Sequence, residues 1–324
     1  MNHIDVLRTE FESYLFEWKF IKQNHNLYKP IDYILRLKGK RLRPVLCLIA
    51  SQLKLKSYKL ALPAAAAIEY FHNFTLMHDD IMDNASKRRG ADTVHIKYDE
   101  NSAILSGDAM MINAYQFLEL LAEEHQLMAV SLLSKTAIEV CEGQQFDMDF
   151  ETQTYVSQAD YIEMISLKTA VLIAASFKMG GIIGGLSEKD ANHIYDFGKN
   201  LGITFQLLDD LLDVYGDSEK FGKKSAGDIV QNKKTYLLIN AIEQAASNDK
   251  QELLNWLQKS SFNEDEKVKA VKNIYAKLNI EEQTRDKANY YNLLAIESLH
   301  QLSIEEEKID MLQKLSKSLL SRMT

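Results

Sequence analysis

The sequence predicts an all-α fold, a large helical bundle forming one domain over residues 1–324, and three observations carry that expectation. Breakers are scarce: 3 prolines and 13 glycines stand in 324 residues, against roughly 5% and 7% in average usage. All three prolines (Pro30, Pro44 and Pro63) fall in the first fifth, so Ala64 to Thr324 is proline-free. A β-sandwich or barrel needs a turn about every ten residues, and the residues that make those turns are missing. Apolar residues, finally, recur at three- and four-residue steps along nearly the whole chain.

In chain order, Val6, Phe11, Tyr14, Leu15 and Trp18 mark the first helical face. The acids in this N-terminal stretch leave no uninterrupted apolar core, so it does not read as a signal peptide. Glycine-containing breaks are expected near Leu37–Lys40, Arg89–Ala91, Ser106–Asp108, Gly180–Gly185 and Tyr215–Gly227. Between them run patterns of about 15 to 30 residues, long enough for the helices of a bundle. The most apolar stretch, Ala170 to Leu186, holds Lys178 and four glycines, falls short of a membrane span and reads as a buried core helix. Its glycine cluster reads as a close helix approach, with a break in the helix as the alternative. Leu237, Leu238, Ala241, Ile242 and Ala245 repeat the helical spacing, and the more polar last 75 residues suggest solvated outer helices.

Hydrophobic residues at 46% and charged residues at 26% are ordinary for a chain with a sizeable core. A net charge of −8 argues against nucleic acid or an anionic membrane surface. The two cysteines, Cys47 and Cys141, read as small core fillers, which leaves neither a disulfide scaffold nor a zinc site. Met110, Met111 and Met128 also read as core filling. The expected location is the cytoplasm.

Two acidic runs carry the chemistry. Asp79, Asp80 and Asp83 sit in FHNFTLMHDDIMDNA, and Asp209, Asp210 and Asp213 in FQLLDDLLDVYGD. The first and last aspartates of each run are four apart, on one helical face about one turn apart. Like charges at that spacing repel, and aspartate is an indifferent helix former. A solvated acidic face is the plain alternative, but Leu76, Met77, Ile81, Leu207, Leu208, Leu211 and Leu212 make both surroundings apolar. Carboxylates there need cations, and paired hard oxygen ligands suit Mg²⁺, with Mn²⁺ as the substitute, bridging to substrate phosphates.

Basic groups stand beside the acids. Arg36, Lys38, Lys40, Arg41 and Arg43 fall within eight residues; Lys87, Arg88 and Arg89 follow the first acidic run; Lys223, Lys224, Lys233 and Lys234 follow the second. Arginine forks grip phosphate bidentately and lysines act as point charges. Acidic runs with flanking cations describe a site for two phosphorylated groups.

The ordered set GKRLRP, HDDIMD with RRG, KTA, FQLLDDLLD, GKKSAGD and NKKT resembles the trans-prenyl diphosphate synthases, from about Lys38 to Leu238. The resemblance implies the isoprenoid synthase type of fold, all-helical around a central catalytic cavity, and a homodimer. It implies that Asp79, Asp80, Asp83, Asp209, Asp210 and Asp213 hold Mg²⁺ on an allylic diphosphate (dimethylallyl, geranyl or farnesyl), joined by Arg88, Lys168, Lys223 and Lys233. Lys40, Arg43, His72 and Arg89 then resemble the pocket for isopentenyl diphosphate, and Thr169, Phe205 and Gln206 line the cavity near the reacting carbons. His72 and His78 could equally be ordinary buried histidines; the motif favours a ligand role for His72. Thr204 departs from the alanine of many relatives, with little expected consequence.

Terpene cyclases replace the second acidic run, and head-to-head condensing enzymes carry different ones, so two full runs favour chain elongation. A non-catalytic regulatory subunit is the alternative of another class; it is expected to lose aspartates, and none is lost here. Chain length reads from the helix before Asp79. Phe71, Phe74 and Thr75 lie within about 100° of arc, with Phe74 about 7.5 Å and Phe71 about 12 Å down the axis. An aromatic five positions before the first aspartate, without an insertion in the motif, resembles the geranylgeranyl (C20) makers. Farnesyl (C15) makers often add a second aromatic where Thr75 stands.

Overall fold

The computed structural model describes residues 3–18, 26–216 and 226–321, and these form an almost entirely helical structure. They divide into two compact units, residues 1–135 with 175–192 and residues 136–174 with 193–324.

The first unit contains α1 (His3–Glu17), α2 (Tyr28–Arg36), α3 (Leu42–Ser51), α4 (Leu62–Met82), the two-residue strands β1 (Lys87–Arg88) and β2 (Ala91–Asp92), α5 (Val94–Lys97) and α6 (Glu100–Leu118). It also takes the start of α7 (Glu123–Thr152). The hub is α4, which packs along α6 and against α1, α2, α3 and α5. Ala64, Ala65, Ala66 and Ala67 on α4 are wholly buried, and such small side chains let neighbouring helix axes come close. All three prolines sit in the first turns of α2, α3 and α4, where a missing N–H breaks no intrahelical bond. Asp99 caps α6 by accepting from Ser102 N at 2.8 Å.

Among the described residues the glycines act differently from expectation at one place; most of the expected Tyr215–Gly227 break lies outside those residues. Ser106–Asp108 is no break: it lies inside α6, and Gly107 faces the His78 ring on α4, whose space a Cβ would occupy. The Gly180–Gly185 cluster serves both readings. On α9 (Val171–Ile183), Gly180 abuts the Cys47 carbonyl and Gly184, just beyond, abuts that of Ser51, while Gly185 takes φ +85° and ends the helix. Cys47 is buried as expected, but Cys141 is exposed. It stands three residues after Ile138, itself 61% exposed, on a face of α7 that the described chain leaves uncovered.

The second unit contains the rest of α7, α8 (Gln158–Ile165), a π-helical turn over Ser166–Ala170, the start of α9, most of α10 (Glu188–Tyr215) and α11 (Gly227–Val230). The chain continues through α12 (Tyr236–Gln244), α13 (Ser247–Gln258), α14 (Glu264–Lys277), α15 (Ile280–His300) and α16 (Glu306–Ser321). Leu207, Leu211, Leu237, Ile239, Val271, Ile274 and Tyr275 lie in its core. Ser157 and Asp160 form a reciprocal capping box that starts α8. The stretch Gln158–Ile183 is long and apolar enough to cross a membrane, yet 72% of its most apolar part is buried inside the fold.

Candidate active site

Both acidic runs occupy the C-terminal turns of helices, the first on α4 with Asp83 as its C-cap, the second on α10. That is the negative end of the macrodipole, where acids are disfavoured, so each run needs cations brought to it. At α4 the chain supplies one at once. Ala85 N returns to Asp80 O at 2.9 Å, Asn84 takes φ 49°, and the chain enters the β1–β2 hairpin. Its two-residue loop, Arg89 (φ 54°) and Gly90 (φ 82°), has positive φ at both central positions, as a type I′ turn demands. The hairpin turns Arg88 back on Asp80, with Nε 2.9 and 2.8 Å from the two carboxylate oxygens and Nη2 2.7 Å from Oδ1. Asp80 is 2% exposed, Asp79 half-buried and Asp83 exposed.

Beside this pair lies a pocket of arginines. Arg43 and His72 meet at 3.1 Å, and since a guanidinium only donates, His72 Nε2 is the acceptor. Burial first, then the positive charges of Arg43, Arg89, Arg88 and Arg41, hold the His72 imidazole well below its ordinary pKa, so it is neutral at pH 7. Burial likewise lowers Arg43 to about 10, against the pull of Glu69, and its buried Nε finds no acceptor among the described residues. Arg89 reaches in over Gly39, where a Cβ would stand 2.7 Å from Nη1. Lys40, next in the chain, is exposed. Arg41 is buried, Arg43 and Arg88 are half-buried and Arg89 is exposed, and positive charge gathered in this way suits an anion.

In the second unit the π-helical turn sets Lys168, whose Nζ lies 2.5 Å from Asp147 Oδ2. Gly143 on α7 lets the turn sit directly on that helix, since a Cβ would collide with Lys168 N. Thr169 Oγ1 donates to Gln206 Oε1 at 3.3 Å, and Gln206 Nε2 donates to Asp210 Oδ1 at 3.2 Å. Tyr161 OH donates to Asp210 Oδ2 at 2.5 Å, deep inside the unit. Burial, with Asp228 adding to it, pushes the Asp210 carboxyl up to about 7, although Tyr161, Gln206 and Lys233 pull it down. Asp209 is exposed; Asp213 Oδ2 accepts from Asp228 N at 2.9 Å. Phe205 packs half-buried on the core of the unit, and Lys233 is exposed. Lys223 lies outside the described residues.

Residues 24–275 match the family model described as Polyprenyl synthetase. The chain belongs to the polyprenyl synthetase family. A geranylgeranyl diphosphate synthase of Methanosarcina mazei is 41% identical over 231 residues, 71% of this chain and 71% of its own. A short chain isoprenyl diphosphate synthase of Methanocaldococcus jannaschii is 38% identical, over 78% of this chain and 77% of its own. A crystal structure of a geranylgeranyl pyrophosphate synthase superposes with a TM-score of 0.94 at 44% identity, covering 99% of both chains. Membership makes this protein a prenyltransferase with the all-α fold of that family.

The donor set of this polyprenyl synthetase fits Mg²⁺. Within each run one aspartate is buried against protein donors (Arg88 on Asp80; Tyr161 and Gln206 on Asp210), while Asp83 and Asp209 face water. Among the described residues no three acidic, histidine or cysteine side chains gather as a closed cation cage. One or two carboxylates per ion is how Mg²⁺ is held when phosphate oxygens and water fill its shell. Two residues here had no signal in the sequence beyond a lone acid or phenol, Asp147 and Tyr161, while Asp228 closes the GKKSAGD motif without having been singled out. At the other motif positions, Phe71 is wholly buried with its ring 5.6 Å from that of Phe74, which in turn stands 4.7 Å from His78. Thr75 Oγ1 donates to His72 O at 2.8 Å. The Thr204 hydroxyl is satisfied by Asn200 O at 2.9 Å.

The raised Asp210 carboxyl gives a pH signature. Its ordinary pKa is 3.8 and its folded value about 7, so across that window the fold keeps a proton that the unfolded chain has released. Its contribution to stability is full below about pH 4 and is lost as pH rises towards 7. In chelator, the melting temperature of the wild type is expected to fall more steeply between pH 5 and pH 7.5 than that of Asp210→Asn; equal slopes would refute the assignment.

Proposed function

We propose that the chain is a short-chain trans-prenyl diphosphate synthase that condenses isopentenyl diphosphate with an allylic diphosphate and makes geranylgeranyl diphosphate (C20). The whole of residues 1–324 works as one polyprenyl synthetase-like domain, in the cytoplasm, as a homodimer. The observation that carries the reading is the pairing, on each acidic run, of an inward aspartate held by the protein with outward aspartates beside placed cations. On this reading Asp79, Asp80, Asp83, Asp209, Asp210 and Asp213 hold Mg²⁺, which supplies positive charge to the departing diphosphate. Arg88, Lys168, Lys223 and Lys233 bind that diphosphate. Lys40, Arg43 and Arg89 bind isopentenyl diphosphate, with neutral His72 holding the Arg43 fork.

The chemistry explains the residue types. Ionising the allylic C–O bond concentrates negative charge on diphosphate, where fixed cations stabilise it without reorganising. The allylic cation left behind must meet the isopentenyl double bond before water does, so binding both diphosphates orients the carbon ends. The proton lost after bond formation goes to the released diphosphate, so no dedicated protein base is required.

Asp79→Ala and Asp209→Ala are each expected to lower turnover by about 10²–10³, the usual cost of one charge stabiliser. Excess chelator abolishes turnover, and Mg²⁺ or Mn²⁺ restores it. Circular dichroism stays unchanged in both variants; near-normal activity in either, or full turnover in chelator, would sink the metal reading.

The C20 product is supported by the relatives named above and by Phe74 standing five residues before Asp79. Phe74→Ala is expected to shift products to longer chains, and Thr75→Phe to shorten them towards farnesyl diphosphate (C15), read by sizing the products. If Phe74 instead only packs against neighbouring helices, the variant melts lower and makes the same product. For the homodimer, the support is α6, which leaves Ile104 (40%), Leu105 (60%) and Ile112 (56%) exposed at helical spacing. Sedimentation equilibrium is expected to give a mass of two chains; a single-chain mass would refute it.

A further inference from the structure

A lysine outside every motif is buried in the second unit. Lys267 lies in the first turn of α14, where the helix dipole disfavours a cation, and it is only 1% exposed. Desolvation of its ammonium is offset by no carboxylate among the described residues. The Nζ donates instead to Val230 O at 3.0 Å and Asn232 Oδ1 at 2.5 Å, and stands 4.2 Å from the Phe262 ring centroid.

Val230 and Asn232 belong to a strap, residues 226–234, that is tied at its start to the second acidic run. At its start Ala226 N donates to Asp213 O at 2.5 Å and Asp228 N to Asp213 Oδ2 at 2.9 Å. At its end Lys234 Nζ donates to the carbonyls of Phe150 and Gln153. Between these ties the chain turns through Asn232 at φ 59°, a left-handed position. Lys233 N then returns to Asp228 O at 2.9 Å. The direction in which Lys233 leaves the strap therefore depends on the conformation of Asn232. Its side chain is held at both ends, Nδ2 donating to Leu257 O at 3.1 Å and Oδ1 accepting from Lys267.

We infer that Lys267 is a positioning residue for the phosphate-binding arm Lys233, acting by locking the left-handed turn at Asn232. The inference rests on the reading of Lys233 as a ligand of the allylic diphosphate. Lys267 touches no substrate; it removes the freedom of the turn, so that the Lys233 ammonium is already aimed when diphosphate arrives.

The test is steady-state kinetics with Mg²⁺ on the wild type, Lys233→Ala, Lys267→Met, the double variant and Asn232→Gly. Lys267→Met keeps the stem and removes the ammonium. Glycine at 232 keeps φ 59° without strain and removes only the side chain that Lys267 holds, so it carries the test if Lys267→Met fails to fold. Lys233→Ala is expected to raise KM for the allylic diphosphate. Lys267→Met and Asn232→Gly are each expected to raise it about tenfold, with kcat and KM for isopentenyl diphosphate within about twofold. The double variant should be no worse than Lys233→Ala, because the lock has nothing left to aim. A purely structural Lys267 would lower the melting temperature and kcat without singling out one substrate, and that result overturns the inference. Additive losses in the double variant, or unchanged KM in Lys267→Met and Asn232→Gly while Lys233→Ala is impaired, overturn it too. Wild-type KM in Lys233→Ala, or a wild type without turnover, would fail the ligand reading itself and the inference with it.

Discussion

The ion pair of Arg41 with Glu69 is the constraint on which the first unit depends. Their side chains are 2% and 3% exposed and meet at 2.7 Å. Arg41 also reaches Glu12 on α1 at 3.2 Å and the Leu35 carbonyl at the end of α2, while Asn73 donates to Glu69 Oε1 at 3.1 Å. Removing one partner of such a pair leaves a buried charge uncompensated and typically costs about 3–5 kcal/mol. Arg41 itself sits at φ 47° as the N-cap of α3. One pair thus fixes where α1 and α2 meet α3 and α4. Two residues after Arg41 comes Arg43, and three after Glu69 comes His72, so the anion pocket inherits its geometry from this anchor.

Each unit concentrates charge where folding alone would disperse it. Acids crowd the negative ends of α4 and α10, and arginines surround an imidazole that burial and their charge keep neutral. Local rules of helix design are broken there, while the prolines, the Ser157 box and the Asp99 cap follow them. Conflict concentrated in a few residues is the usual mark of a functional site in an otherwise consistent fold.

The helical architecture was legible in the sequence because apolar spacing and missing breakers act over hundreds of residues. The acidic runs and the arginine groups were legible because they are repeated or dense. Gly107 was misread as a break because a glycine that ends a helix and one that admits a neighbouring side chain look alike without the neighbour. Cys141 was misread because spacing names a helical face but not what covers it. Asp147, Tyr161 and Lys267 carried no pattern at all. Each acts through one partner distant in the chain, Lys168, Asp210 and Asn232 respectively, and a single long-range contact leaves no periodic trace.

The π-helical turn at Ser166–Ala170 holds one residue more than an α-helical turn needs. Losing one residue there would let α8 run into α9 as regular helix, with every flanking hydrophobic contact kept on one side and rotated by about 100° on the other. Lys168 sits in the surplus, against Asp147, so the same loop that spoils the helix is what presents the lysine. A chain shortened by one residue at this point trades an irregular turn for a smoother backbone and a lysine facing the wrong way. Length at this turn is therefore under a constraint that side-chain identity alone does not express.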